Sequence, residues 1–555
     1  MKIRGNTVST NMKPERAIVK CENLTEEQKA QARQNIGAIG SRVFYANLAA
    51  AVADLNNGTA ANAALESGAA VEVLALDSGE KVVRLLADVS ESAQIDINAD
   101  MTLVLNGHTL NLTTAAAKLN FAAGTNCAIN GEVDGSAIKK ENITSTGNTN
   151  AVLMQGDTLC VRGGYYSIGG SFTKVAMFFG VAATCKVIDL DGVEVLAKNT
   201  HTSTTAATKC IQAQAVNTIL RNSTLSAEVQ TVAQAVHVVS TGNKVEVNGC
   251  NIFVSASTSN TKAAAECMNI TAECVAKNST FTATGYNANA LELKENATID
   301  HCTIEAAGFT AKGAKVDAGT STFKNSKIFA NAHGAHAQDG YSHSIGIRSA
   351  GTVICMDTDV TGTHSAVQNE GNIYVKGGTF SGYSHGGFYF VHAAAHNAYI
   401  NNAVLRFGVN EGFFEDFGSN DAENKAGRLA GFYFGEGYDG RSPGISAYID
   451  GCTIEGAGGE PFVVRDAVAG STNTVYISNT VNNATTDNPI RLNKGQTTNL
   501  AELKIGMGCN FTPADTSDPQ WAEETGKLYR RMKDDMPMDG RDFAALLAYA
   551  EVQNI

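Results

Sequence analysis

"VNGCNI" at 247–252, "AKNSTF" at 276–281 and "IDHCTI" at 299–304 have one construction. An apolar residue leads into Asn, Gly or His, a small residue follows, and a second apolar residue closes the unit. The unit recurs as "LNGHTL" (105–110), "LRNSTL" (220–225), "FKNSKI" (323–328), "CMDTDV" (355–360), "VKGGTF" (375–380), "INNAVL" (400–405), "IDGCTI" (449–454) and "ISNTV" (477–481). Its closing apolar residues fall at 225, 252, 281, 304, 328, 360, 380 and 405, at intervals of 20 to 32 residues. The next marker, Ile454, lies 49 residues on, which is either two periods or one period with an insertion.

A period near 25, carrying short strands around a tight bend, is the signature of a parallel β-solenoid. A single turn of such a coil cannot bury its own apolar row, so stacked neighbours supply the core. Asn, Asp and Gly belong at the bend because they tolerate left-handed backbone angles, and Asn can hydrogen-bond nearby backbone. Cys250, Cys302 and Cys452 share one register with Ser223, Ser279 and Ser326. The series reads as a column of small side chains at a corner and not as a metal column. The twelve cysteines are otherwise scattered, with no CxxC pair or zinc-finger spacing, which points to reduced thiols.

Upstream, 83–112 adds alternating apolar runs that lead into the first clear unit, and "RVFYANLAAAVADLN" (42–56) has helical spacing at Phe44, Leu48, Val52 and Leu55. On these residues the chain resembles the pectate-lyase-like right-handed parallel β-helix proteins, over about residues 44 to 500. That resemblance implies a short amphipathic helix plugging the first coil. The expected fold is all-β: a right-handed parallel β-helix with a short helical N-terminal adaptor and a helical C-terminal cap. The expected divisions are an adaptor at 1–43, the β-helix at 44–505, and a cap or oligomerisation segment at 506–555. Within the β-helix, a capping helix is placed at 44–65 and an inserted loop at 406–445. Two helical pieces, about 520–534 and 541–551, separated by Pro537 and Gly540, make up the cap.

Composition narrows the function. Lys and Arg number 42 against 55 Asp and Glu, a net charge of −13 with no basic block, which argues against a nucleic-acid partner. No stretch reaches the roughly 18 to 20 apolar residues that span a bilayer, and the first twenty residues lack the apolar core of a signal peptide. Synthesis and folding in the cytoplasm without membrane insertion is the expectation.

"LTEEQKAQARQNIGA" (24–38) stands apart as a short polar helix. Thr25 and Gln28 make a capping box and Gly37 a C-terminal stop, while Leu24, Gln28, Ala32 and Ile36 share a thin stripe. So short a helix is marginal alone, so Leu24, Thr25, Gln28, Ala32 and Ile36 are expected to attach to something. The stretch is similar to an element of tail fibres, tail spikes and related proteins of tailed bacteriophages and prophages, where it precedes the receptor-reading part. The resemblance implies a virion component located in the phage tail. It also implies a homotrimer mounted through its N-terminal segment on tail or baseplate proteins, and binding of a bacterial surface polysaccharide. A polysaccharide depolymerase and a non-binding structural protein are the alternatives, and no cofactor or metal is expected.

The long interval between 405 and 454 gathers aromatics and acids. Phe413, Phe414, Phe417, Tyr433 and Tyr438 are candidate sugar-stacking rings. Glu411, Glu415, Asp416 and Asp439 are candidate catalytic acids, provided two stand about 5–5.5 or 6.5–9.5 Å apart. Phe388 or Phe390 of "HGGFYFVH" is a further candidate, presented to solvent with the alternate residues inward. His333, His336, Asp339 and His343, with His364, His385, His392 and His396, match no zinc motif and read as surface histidines. "GEGYDG" (435–440) matches GxGxxG but opens no helix, so it carries no phosphate site.

Overall fold

A computed structural model describes residues 39–76, 79–131, 143–145, 150–172, 175–202, 206–214, 216–239, 243–332, 344–382, 387–390, 396–408, 430–434, 444–457, 460–465, 472–485, 490–493, 500–505 and 508–510. The expected helices at 24–38 and beyond 510 lie outside these residues. What is described is an all-β parallel β-helix built from three long sheets of 18, 15 and 15 strands, here sheets A, B and C. Each coil lays down one strand of A, turns a short corner, adds a strand of B, then one of C. One such coil runs through Glu273–Lys277, Thr280–Thr284 and Asn287–Leu293. From Lys81–Leu85 onward each strand pairs in parallel with its counterpart one coil away, about 4.8 Å along the axis.

The apolar markers of the repeat form one interior column of sheet B. Leu225, Ile252, Phe281, Ile304, Ile328, Val360, Phe380, Leu405 and Ile454 are register partners in succession, and all are buried. Leu405 pairs directly with Ile454. The 49-residue interval is therefore a single coil with an insertion, and residues 409–429 and 435–443 within it lie outside the described set.

The corner between A and B explains the Asn/Gly preference. Asn222, Gly249, Asn278, His301, Asn325, Asp357, Asn402, Gly451 and Asn479 all adopt φ between 46° and 65°, the left-handed region. Asn, Asp, His and Gly tolerate that conformation best. The residue after each turns inward. Cys250, Cys302 and Cys452 are buried there with Ser223, Ser279, Ser326 and Thr480. The hydroxyls tie coils together: Cys250 N–H donates to Ser279 Oγ and Cys302 N–H to Ser326 Oγ, both at 3.1 Å. Exposed Asn side chains add rungs outside, as from Asn278 Nδ2 to Asn248 Oδ1 at 3.1 Å. Burial pushes the Cys302 thiol up to about 11 and that of Cys452 to about 12, as expected for packing groups.

The first coil is closed by helix α1 (Leu48–Asn57), whose Leu48, Ala51, Val52 and Leu55 join the solenoid core. Asn47 caps it through Ala50 N–H at 2.8 Å. Glu91 Oε1, on sheet B, accepts from Leu48 and Ala49 N–H at 3.0 and 3.1 Å, placing a carboxylate at the positive helix end. The helix is shorter than the 44–65 expected. Phe44 lies instead in strand Ile39–Tyr45, antiparallel to Val71–Leu76. Its helical spacing from Leu48 is coincidental, because Asn47 is extended and starts the helix after Phe44.

Candidate functional site

Sheet C departs from plain alternation. In Ala264–Ile270, Glu266 and Asn269 face outward while Cys267 and Met268 between them are both buried. Neighbouring strands repeat the arrangement, and their registers skip the same position. The skipped residues are Cys210, Ala235, Cys267, Ala290, Gly313 and Gly346. Small residues are required at this bend: a Cβ on Gly346 would collide with Val360 Cγ1 and the Ala366 carbonyl.

Two outward ladders run along the solenoid axis on either side of the bend. One is Lys209–Gln234–Glu266–Asn289–Lys312. The other is Gln212–His237–Asn269–Glu292–Lys315–Arg348–Gln368, which continues into Tyr389 and Tyr433. These side chains face away from the core yet are largely covered: Lys209 is 8% exposed and Glu266 9%. Charges and amides half-withdrawn from water interact more strongly with each other and with a ligand than solvated ones do.

Their bonds form a continuous network. Lys209 Nζ donates to His237 Nδ1 at 2.6 Å. Gln234 Nε2 and Asn269 Nδ2 both donate to Glu266 Oε2, the latter at 2.9 Å. Lys294 Nζ donates to Asn269 Oδ1 at 3.0 Å and pairs with Glu292 Oε1 at 3.1 Å. Lys315 Nζ reaches the same Glu292 oxygen at 3.1 Å and Asp317 Oδ2 at 3.0 Å. Burial pushes His237 down to about 4, aided by the charges of Lys209 and Lys294, so its ring is neutral at neutral pH. Burial also brings Lys209 down to about 8, against the pull of Glu266. Burial pushes Glu292 up, but the two lysines outweigh it and hold the carboxyl below the usual range.

The network leaves specific atoms unmet. Both bonds to Glu266 use Oε2, and both lysines on Glu292 use Oε1. Among the described residues, Glu266 Oε1 and Glu292 Oε2 therefore keep acceptor capacity. Asn289 Oδ1 is buried with no partner. Glu266 Oε1 and Glu292 Oε2, on strands one coil apart of a rigid sheet, are suited to hydroxyl donors.

The expected site residues are placed differently. Phe388 and Phe390 are fully buried and do not face solvent. They point into the core, where Phe388, Phe432 and Phe462 stack at 5.6 and 5.0 Å and Phe390 stacks on Phe434 at 4.7 Å. The outward residue of that strand is Tyr389, in edge contact with Tyr433 at 5.3 Å. Tyr433 thus sits at the end of the second ladder, only 3% exposed, and offers no open ring face. Glu411, Glu415, Asp416, Asp439, Phe413, Phe414, Phe417 and Tyr438 lie outside the described residues, as do Leu24, Thr25, Gln28, Ala32 and Ile36. So do His333, His336, Asp339, His343, His385 and His392. His364 is buried against Tyr389 and is not a surface histidine. Among the described residues no three His, Cys, Asp or Glu side chains converge as metal ligands.

Sheet A carries one other conspicuous surface row: Tyr374, Tyr399, Tyr448 and Tyr476, stacked nearly parallel at 5.3, 5.0 and 4.8 Å. Their faces are occupied by one another, which favours stacking between coils over sugar contact. Sequence reading missed the sheet C ladders, although "TKCIQA", "AQAVHV", "AECMNI", "NALEL" and "KGAKV" carry their common pattern. Compared with known proteins, the chain matches no family model and no curated protein.

Proposed function

We propose that the chain is the receptor-reading solenoid of a tailed-phage tail, a homotrimeric virion component that binds a bacterial surface glycan along the outer face of sheet C. The observation that carries the binding reading is the withdrawn polar ladder, in which Glu266 Oε1 and Glu292 Oε2 take none of the network's bonds. An extended sugar polymer laid along the axis meets a new coil about every 4.8 Å, so successive hydroxyls find successive acceptors. Attachment to the tail rests on the resemblance of residues 24–38.

Binding is favoured over hydrolysis at this face. A glycoside hydrolase needs one carboxyl that keeps its proton to give to the leaving group. Glu292 is held ionised by Lys294 and Lys315, so it accepts hydrogen bonds and does not donate a proton. The test incubates purified protein with capsular and lipopolysaccharide extracts and measures retention of polymer and formation of new reducing or unsaturated ends. Retention without new ends, weakened by Glu266→Gln, supports the proposal. Retention unaffected by that substitution, or release of new ends abolished by it, counts against it.

A further inference from the structure

We propose that the glycan is acidic, and that Lys312, with Lys315 and Arg348 beside it, forms the subsite for its anionic group. This inference rests on the reading of sheet C as the glycan-binding face.

The cations of the strip are compensated unequally. Lys209 is bound to His237, while Lys294 and Lys315 share Glu292, and Lys315 also holds Asp317. Arg348 Nη2 stands 3.6 Å from Glu370 Oε1. Lys312 has no partner among the described residues. It ends the first ladder, on the strand that carries Lys315, and its next-coil register partner is the apolar Ile345. Arg348 pairs in register with Lys315, so three cations meet on two adjacent coils. Burial lowers the Lys312 ammonium to about 8, and the repulsion of Arg348 and Lys315 adds to this, against the smaller pull of the Glu292 and Asp317 carboxylates.

A partly buried cation with no carboxylate bonded to it is costly, and the chain as a whole carries a net charge of −13, so the cluster is not a spill-over of general basicity. A bound carboxylate, phosphate or sulfate relieves that cost. The opposite end of the same strip has the reverse character. There Glu266 presents a carboxylate oxygen outside the network's bonds, which attracts hydroxyl donors and repels an anion, whereas Glu292 is tied to Lys294 and Lys315. Glu266 and Lys312 lie two coils apart, roughly 10 Å along the axis. The ligand that matches both ends is a polymer with an acidic group at Lys312 and neutral, hydroxyl-bearing units toward Glu266.

The experiment is a printed array of bacterial capsular and lipopolysaccharide glycans, grouped as neutral, carboxylate-bearing, phosphate-bearing and sulfate-bearing. It is probed with the full-length wild type and with Lys312→Met, Lys312→Arg and Glu266→Gln, each verified as folded by its thermal transition. Binding confined to one or more anionic groups, weakened about tenfold or more by Lys312→Met and retained by Lys312→Arg, is the expected result. The anionic group that binds identifies the ligand's acid. Binding of neutral glycans that Lys312→Met leaves unchanged, with Glu266→Gln still weakening it, overturns the anion subsite and leaves the glycan-binding reading standing. Binding that none of the three substitutions changes removes both.

Discussion

Replacing Phe390 by alanine separates a core ring from a sugar-binding ring. Phe390 is fully buried, lies 4.7 Å from Phe434 with planes 3° apart, and has Phe388 at 6.0 Å on its own strand. Truncating a phenylalanine so enclosed costs about 3–5 kcal/mol, as transfer energy plus the cavity left behind. Phe390→Leu, which retains much of the volume, is expected to cost less than half of that. In a solenoid the damage stays near its source, because each coil contacts only its neighbours. Hydrogen exchange should therefore accelerate in Ser365–Asn369 and Ala430–Phe434, and remain unchanged in Ala207–Gln214. Urea denaturation reports the total loss, and glycan retention is measured well below the transition, where the variant is folded. Full stability together with abolished glycan retention would refute the placement of this ring in the core.

Three further outcomes follow from the corners and the ladder. Asn278→Gly should lie within about 0.5 kcal/mol of wild type, whereas Asn278→Ala should cost about 1–2 kcal/mol, since only the alanine is strained at φ 49°; equal denaturation midpoints would count against the corner argument. The corner thiols Cys250, Cys302 and Cys452 should resist a thiol reagent in the folded protein, while all twelve cysteines react in denaturant. His237, held near 4 when folded against about 6.5 when unfolded, makes the unfolded chain the better proton binder between those values. Its contribution is complete above pH 6.5 and is lost as pH falls toward 4, by at most about 3 kcal/mol; His237→Gln should flatten that part of the stability profile.

The coil architecture was legible because its corners are chemically demanding. A left-handed residue followed by a small inward one leaves few choices, so Asn278-Ser279 and His301-Cys302 announce themselves. The boundary of α1 was less so, since Phe44 and Leu48 have helical spacing but stand on opposite sides of an extended Asn47. Parity was the difficulty at Phe388-Tyr389-Phe390: a three-residue strand does not say which face is inward until its neighbours, Phe432 and Phe434, are known. The site was obscured for a related reason. Glu266 and Lys312 are 46 residues apart in the chain and come onto one ladder, two rungs apart, only through two coils of stacking. The bend on sheet C also shifts the outward positions from every second residue to a spacing of three. A search for acids or aromatics close together in sequence therefore passes over them.

The most direct measurement is the structure of the protein with an oligosaccharide cut from whichever bacterial polymer it retains. Sugar rings are expected along the axis over sheet C, with hydroxyls on Glu266 Oε1 and Glu292 Oε2 and an acidic group against Lys312. Sugar ordered elsewhere, such as over the tyrosine row Tyr374–Tyr476, with sheet C bare, would contradict it.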